Sequence, residues 1–268
     1  MAVIYVRDNN IFSPAEKQRV TPHFTWVMDK ALWDGEIAVF SDSFLTEAHQ
    51  YYQCKKVAWL LEPPAILPGI YDYIRTNYPL FDLIFTFDKS LLALNPRFRY
   101  WPMGSTWIPE PDRRVYPKSK GASIIASAKN HAPGHVLRHQ VVKRHGKDMD
   151  VMGRGYRTIE TKLEGLKDYR YSFAIENMRL DCYFTEKLID CFMTGTVPIY
   201  WGCSAIEDFF DGRGMVILTD PETFNMGSLT EDDYNRRRPY IEKNFELAKK
   251  YTDLEKNLWD NGLKDLHG

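Results

Sequence analysis

The sequence predicts an α/β protein made of two Rossmann-like domains with a cleft between them and a long C-terminal helix. Three observations carry this. Short apolar runs recur through the first half and alternate with segments of helical character. A charged, Pro-containing stretch interrupts the pattern near the middle, and the alternation then resumes. From Tyr171 to Gly202, a strand, a polar loop, an amphipathic helix and a second strand follow one another in the order of a βαβ unit.

The first strands are read at Val3 to Val6, Ile37 to Phe40, Val57 to Leu61, Leu83 to Phe87 and Phe98 to Trp101. Each is a brief run rich in apolar, β-branched or aromatic residues. Glu16 to Lys30 and Gly69 to Tyr78 are read as helices between them. Ser105 to Ser119, with Pro109, Pro111 and Pro117 among charged residues, is read as a linker. The second series opens with the strand ASIIASA at Ala122, a helix around Leu137 to His145 and a short strand at Asp150 to Met152. The βαβ unit follows: strand Tyr171 to Ile175, a helix capped by Thr185 and stopped by Gly195, and strand Val197 to Trp201. Met215 to Leu218 is the last strand. Ile241, Phe245, Ala248, Tyr251, Leu254 and Leu258 have helical spacing and predict a final helix over Pro239 to Trp259. These boundaries give a first α/β domain over 1–115, a second over 116–238, and a helical tail over 239–268 packing back on the first.

Composition bounds the function. With 268 residues, 44% of them apolar and 26% charged, the chain reads as an ordinary globular protein with room for two modest domains. The net charge of −1 advertises no polyanionic partner for the molecule as a whole. Locally, thirteen Lys/Arg face four Asp/Glu between Arg97 and Arg157, an excess of +9. Such a stretch attracts a diphosphate or a polyanionic acceptor, and a basic surface balanced by acidic helices explains it equally. Cys54, Cys182, Cys191 and Cys203 lack the paired spacing of a zinc site or disulfide framework. The start, MAVIYVRDNN, reads as a strand rather than a leader, and no run is apolar enough to span a membrane, so a cytoplasmic location is expected.

The chemistry concentrates in the loop of the βαβ unit, which holds Glu176, Asn177, Arg179 and Asp181 before Thr185-Glu186-Lys187 opens the helix. Loops at the carboxyl ends of parallel strands are where such folds bind ligands. Thr185 caps a helix whose positive end favours phosphate. Lys187 adds a mobile cation, and Glu186 offers a carboxylate to ribose or sugar hydroxyls. That combination suits a sugar nucleotide. Glu62 stands after the apolar strand Val57 to Leu61 and before Pro63-Pro64, where a carboxylate suits the general base of a transfer reaction. His135, in the loop before a helix, is a further candidate near phosphate; Asp181 and His131 are weaker ones. No D-x-D pair follows the strand Ile84 to Phe87, which argues against metal chelation and for leaving-group stabilisation by fixed cations.

Glu176-Asn177, then Tyr183-x-Thr185-Glu186-Lys187, a helix, and Val197-Pro198-Ile199-Tyr200-Trp201-Gly202 resemble the donor-binding motif of the α-1,3-fucosyltransferase family. That pattern reads F-E-N, a variable loop, Y-x-T-E-K, a helix and V-P-x-x-x-G. Ile175 stands where Phe is usual. The detailed resemblance covers about a third of the chain. It implies a GT-B fold, inversion at the anomeric carbon, no required cofactor, and a nucleotide-sugar donor, GDP-fucose first, with UDP-sugars left open. It further implies donor contacts from Tyr183, Glu186 and Lys187, a position near the base for Asn177, and diphosphate binding by Arg138 in HAPGHVLRHQVV. WLLEPP resembles, more loosely, the family's strand-E-S-P setting of a base, which points to Glu62. The expected acceptor is a glycan hydroxyl. One alternative keeps the fold and transfers to a hydroxymethylated pyrimidine of DNA; another is a non-catalytic protein that only binds nucleotide sugars.

Overall fold

The computed structural model describes residues 1–8, 11–13 and 15–267. Two compact units emerge: Met1–Pro102 with Asp253–Gly268, and Met103–Thr252. In the first unit, β1 (Val3–Arg7), β2 (Gln18–Val20), β3 (Thr25–Val27), β4 (Ile37–Ser41), β5 (Lys55–Trp59), β6 (Leu83–Thr86) and β7 (Phe98–Tyr100) form one sheet. Its order is β2-β3-β1-β4-β5-β6-β7, parallel except for the antiparallel edge strand β2. Strand β4, IAVFS, is buried along its whole length, as expected for a continuous apolar run covered on both faces.

One face carries Ala38, Phe40, Ala58 and Ile84, packed with Tyr71 and Ile74 of α1 (Pro68–Asn77). A short helix, α2 (Lys89–Leu92), starts where the Asp88 carboxylate accepts from the Ser90 and Leu91 amides. Alternation sends Trp26 and Trp59 to the other face, where their rings lie parallel with centroids 6.4 Å apart and Trp101 meets Trp59 edge-on.

The segment read as a helix over Glu16 to Lys30 is instead the β2–β3 hairpin. Pro22 has no amide to give a helix. Thr21 closes the turn, its Oγ1 donating to the Phe24 carbonyl and accepting from the His23 and Phe24 amides. Burial of Trp26 against Trp59 then decides in favour of strand.

In the second unit, β8 (Lys120–Ile125), α3 (Pro133–His145), β9 (Asp150–Met152), β10 (Tyr169–Ile175), α4 (Glu186–Thr194), β11 (Val197–Trp201), β12 (Val216–Ile217) and α5 (Glu231–Ala248) follow one another. The sheet is wholly parallel in the order β12-β11-β10-β8-β9. The chain moves one way from β8 to β9 and the other way from β10 to β12. That reversal makes the carboxyl ends of β8 and β10 the switch point of a doubly wound sheet. The first sheet repeats the arrangement, with β1 flanked by β3 and β4. Two Rossmann-like α/β units are thus present, as the sequence predicts.

Helix α5 begins eight residues before the Pro239 start read from the sequence. The Thr230 hydroxyl accepts from the Asp233 amide, and Glu231, Asp232 and Asp233 crowd the first turn, where the helix dipole favours anions. Pro239 lies inside the helix. The helix does not run on to Trp259: a 3-10 turn at Lys249–Tyr251 ends it, and Asp253 caps a new short helix, α6 (Leu254–Leu258). Beyond it, α7 (Lys264–Leu266) closes the described chain. This tail packs within the first unit, Trp259 lying 5.7 Å from Phe24 between ring centroids. Among the described residues no helix is long and apolar enough to cross a membrane.

Candidate functional site

A cavity of about 250 Å³ opens at the switch point of the second unit. Ile125, Ala126 and Ser127 reach it from the end of β8, Gly153 and Arg154 from the turn after β9, and Ile175 from the end of β10. Arg138 of α3, Lys162 of the loop before β10, and Glu186, Lys187 and Asp190 of α4 complete its charged wall. Four cations face two carboxylates, so the cavity favours an anion. Its volume is below the roughly 300 Å³ at which small-molecule sites commonly begin, which fits one part of a larger ligand.

The wall is assembled by close contacts between α3, β10 and α4. Gly134, in the first turn of α3, donates its amide to the Asn177 carbonyl at 3.0 Å. One turn on, Arg138 is buried, and its Nε and Nη2 donate to the Ile175 carbonyl at 3.0 and 2.6 Å. Nη2 also reaches Asn177 Oδ1 at 2.9 Å, so the guanidinium is aimed along the end of β10. Glu176 is fully buried and accepts from the Thr185 amide at 2.8 Å and the Thr185 hydroxyl at 2.7 Å. It pins the head of α4 to the end of β10, and burial raises its carboxyl above the ordinary value against the pull of Lys187. Thr185 is the N-cap of α4, accepting from the Lys187 amide, and Gly195 ends the helix at φ +70°, both where the sequence put them. Lys187 Nζ lies 3.0 Å from Thr185 Oγ1, 3.4 Å from Glu186 and 3.6 Å from Glu176.

Sequence reasoning missed Lys162 and Asp190. Lys162 Nζ donates to Glu186 Oε1 at 3.1 Å and to Asp190 Oδ2 at 3.0 Å. Asp190 Oδ1 accepts from the Thr106 hydroxyl at 2.7 Å and the Trp107 amide at 2.8 Å. Asp190 stands one helical turn after Glu186, so its shared face was readable in the spacing. Lys162 carries no local signal; only the fold brings it there. Burial works against the charge on Glu186, yet Lys162 and Lys187 more than reverse this and hold its carboxyl well below the usual range. Asp190, more deeply buried, is shifted up by desolvation despite the same lysine.

The structure therefore places Arg138, Glu186 and Lys187 in the cavity wall, with Asn177 bonded to Arg138 and with Glu176 and Thr185 bonded to each other behind the head of α4. Tyr183 lies buried in the loop before α4 and is not among the cavity-lining residues. His135 is buried in the first turn of α3, its ring edge-on to His131, with no hydrogen-bond partner at Nδ1. Burial and the neighbouring Arg138 push it down to about 4, so it is neutral at ordinary pH. Glu62 belongs to the first unit, just past β5, where its amide donates to Asp42 Oδ1 at 3.2 Å and its carbonyl accepts from the Tyr71 hydroxyl at 2.9 Å. Among the described residues no group of three or more His, Cys, Asp and Glu side chains is placed to hold a metal ion.

Comparison with known proteins bears on this same stretch. Residues 115–223 match the model of the C-terminal domain of glycosyltransferase family 10 (fucosyltransferase). An α-(1,3)-fucosyltransferase of Helicobacter pylori is 34% identical over 71 residues, 26% of this chain and 15% of that protein. The chain thus spans a small part of that relative's length. A crystal structure of an α1,3-fucosyltransferase with GDP superposes over 97% of this chain and 91% of its own, with a TM-score of 0.54 and 17% identity. Another, with GDP-fucose, covers 85% of this chain and 79% of its own, with a TM-score of 0.50. At this identity the two structures establish likeness of fold, the two-unit GT-B type. The charged cavity lies wholly within residues 115–223, the stretch that matches the fucosyltransferase model of glycosyltransferase family 10.

Proposed function

We propose that this chain is an inverting glycosyltransferase that moves fucose from GDP-fucose to a glycan hydroxyl. One observation carries the reading: a cation-rich cavity at the β8/β10 switch point, with Glu186 and Lys187 at the head of α4 and Arg138 opposite. The relative named above as a fucosyltransferase, and the neighbours solved with GDP and GDP-fucose, support GDP-fucose as the donor.

In this reading the leaving group is a nucleoside diphosphate. Arg138 and the positive end of α4 stabilise its developing charge without moving, and Lys187 turns from the carboxylates to join them. Asn177 faces the base and the Glu186 carboxylate accepts from the donor's hydroxyls, while Tyr183, buried outside the cavity lining, acts on the donor only through the loop before α4. Glu62 takes the proton from the attacking acceptor hydroxyl. His135, Glu176 and Thr185 shape the phosphate side, Glu176 by fixing Thr185. No observation favours the DNA-base acceptor.

The test is to incubate the protein with a panel of nucleotide sugars and glycan acceptors and read donor consumption and product by mass spectrometry. GDP-fucose is the donor expected to be consumed. Arg138→Ala and Lys187→Ala should each lower turnover by about 100-fold or more, the usual loss of one charge-stabilising group. Glu62→Gln should abolish transfer while leaving donor affinity in place. Full turnover in both cation variants would sink the assignment.

A further inference from the structure

We propose that Lys162 is a positioning residue for donor binding: it holds Glu186 as an oriented anion, using Asp190 as a second anchor. This rests on the reading of the cavity as the donor site and adds a role that the Thr185-Glu186-Lys187 motif does not contain.

Three carboxylates crowd the head of α4. Glu176 rises from the end of β10, Glu186 is the first residue of the helix, and Asp190 lies one turn on. Like charges at this spacing, half-buried or buried, disfavour one another's ionised forms. Two lysines oppose them. Lys187 Nζ is 3.4 Å from Glu186 and 3.6 Å from Glu176. Lys162, from the 3-10 turn Lys162–Gly165, is 3.1 Å from Glu186 and 3.0 Å from Asp190.

The two are not equivalent. Lys187 is the cation that turns to a phosphate at the helix head, and when it does so it withdraws charge from Glu186. Lys162 cannot follow, because it is fixed at both ends. Asp190 is 1% exposed at its side chain and is itself held by Thr106 and Trp107, and the Trp107 ring lies 5.7 Å from the ammonium. Lys162 is therefore the cation that stays on Glu186 in the donor complex. A carboxylate pinned at Oε1 presents its other oxygen in one direction, which is the geometry a hydroxyl donor needs.

A merely structural ion pair would affect stability alone; a positioning pair sets how donor affinity depends on pH. GDP-fucose binding to the full chain is measured by titration calorimetry from pH 5 to pH 8 for wild type, Lys162→Met, Lys162→Arg and the double variant Lys162→Met/Asp190→Leu. The double variant removes the cation and its second anion together, so Asp190 is not left as a buried unpaired charge. The Thr106 hydroxyl and Trp107 amide lose their acceptor, and far-UV circular dichroism checks that the variant folds. Wild-type affinity should hold steady down to about pH 5, since Glu186 stays ionised there. Lys162→Met and the double variant should bind at least tenfold more weakly at the acid end than at pH 8, as Glu186 takes up a proton. Lys162→Arg should restore the flat profile. A wild-type protein that binds no GDP-fucose at any pH overturns the donor reading itself. Wild-type binding, with either Lys162→Met variant following the wild-type curve throughout, overturns the role of Lys162.

Discussion

Replacing Gly134 by Ala tests the seam on which the cavity depends. Alanine in a helix is ordinarily worth up to about 1 kcal/mol over glycine, so a helix-propensity argument predicts stabilisation. The structure predicts the reverse. A Cβ at Gly134 would sit on the Glu176 carbonyl oxygen, 2.8 Å from the carbonyl carbon and 3.1 Å from Asn177 Cα, against an ordinary contact of 3.4 Å. The obstacle is backbone, so no side chain can swing aside, and α3 must part from β10 by more than an ångström. Overpacking of this kind costs about 1–3 kcal/mol. Loss of the Gly134 amide bond to Asn177 adds about 1 kcal/mol. Against the propensity gain, the net expectation is a loss of about 1–3 kcal/mol. The same displacement carries Arg138 off the Ile175 carbonyl, so GDP affinity should fall as well. Thermal unfolding and GDP titration read the two effects. Gly69→Ala is the control: it stands at the second position of α1 and a Cβ there meets nothing within 4 Å, so it should be neutral or stabilising. If Gly134→Ala matches Gly69→Ala in both assays, the tight seam between α3 and β10 is wrong.

Asp42 offers a pH test in the first unit. It is the one non-glycine residue with positive φ among those described, at +46°, and its buried Oδ1 accepts from the Leu61 and Glu62 amides at 2.8 and 3.2 Å. Burial pushes its carboxyl up to about 7, so the folded protein keeps a proton that the unfolded chain releases near pH 4. Its stabilising effect is complete below about pH 4 and is lost as pH rises to about 7, by at most about 4 kcal/mol. Asp42→Asn should remove that slope from the thermal midpoint between pH 5 and pH 7.5, and parallel curves for the two proteins would refute it. Lys118→Met tests a buried amine whose Nζ lies within 3.1 Å of the Leu166, Lys167 and Thr194 carbonyls and the Thr196 hydroxyl. Losing the amine should cost about 1–3 kcal/mol in urea unfolding, chiefly through the Lys167 carbonyl, because the Leu166 carbonyl keeps the Thr196 hydroxyl and the Tyr169 amide and the Thr194 carbonyl keeps the Tyr116 amide. A loss under about 1 kcal/mol would show that water replaces the amine.

Much of the second unit was legible because its signals are local. Thr185 as cap, Gly195 as stop and the buried strands at 171–175 and 197–201 all lie within a few residues of what they determine. The loop from Glu176 to Lys187 could be read as anion-binding for the same reason. What escaped depends on distant partners. Glu16 to Lys30 reads as helical until Trp26 meets Trp59, and the Thr230 cap lies outside the Pro239 to Trp259 span that the apolar spacing picks out. Lys162 meets Asp190 across 28 residues of sequence, and no periodicity announces such a pair. The strained backbone of Asp42 was likewise invisible, since it answers to amides nineteen and twenty residues away.

The stacked indoles of the first unit have a practical consequence. Five of the seven tryptophans, at 26, 33, 59, 101 and 259, belong to that unit, and only Trp107 and Trp201 belong to the other. Intrinsic fluorescence is therefore chiefly a reporter of the first unit, dominated by closely coupled, buried emitters. Trp107 is the opposite kind of probe, 65% exposed and bonded through its amide to the carboxylate that anchors Lys162. Against the buried tryptophans of the first unit, its emission and that of Trp201, whose carbonyl accepts from the Glu176 amide, become an optical readout of events at the head of α4, separable by solvent quenching from the melting of the aromatic cluster.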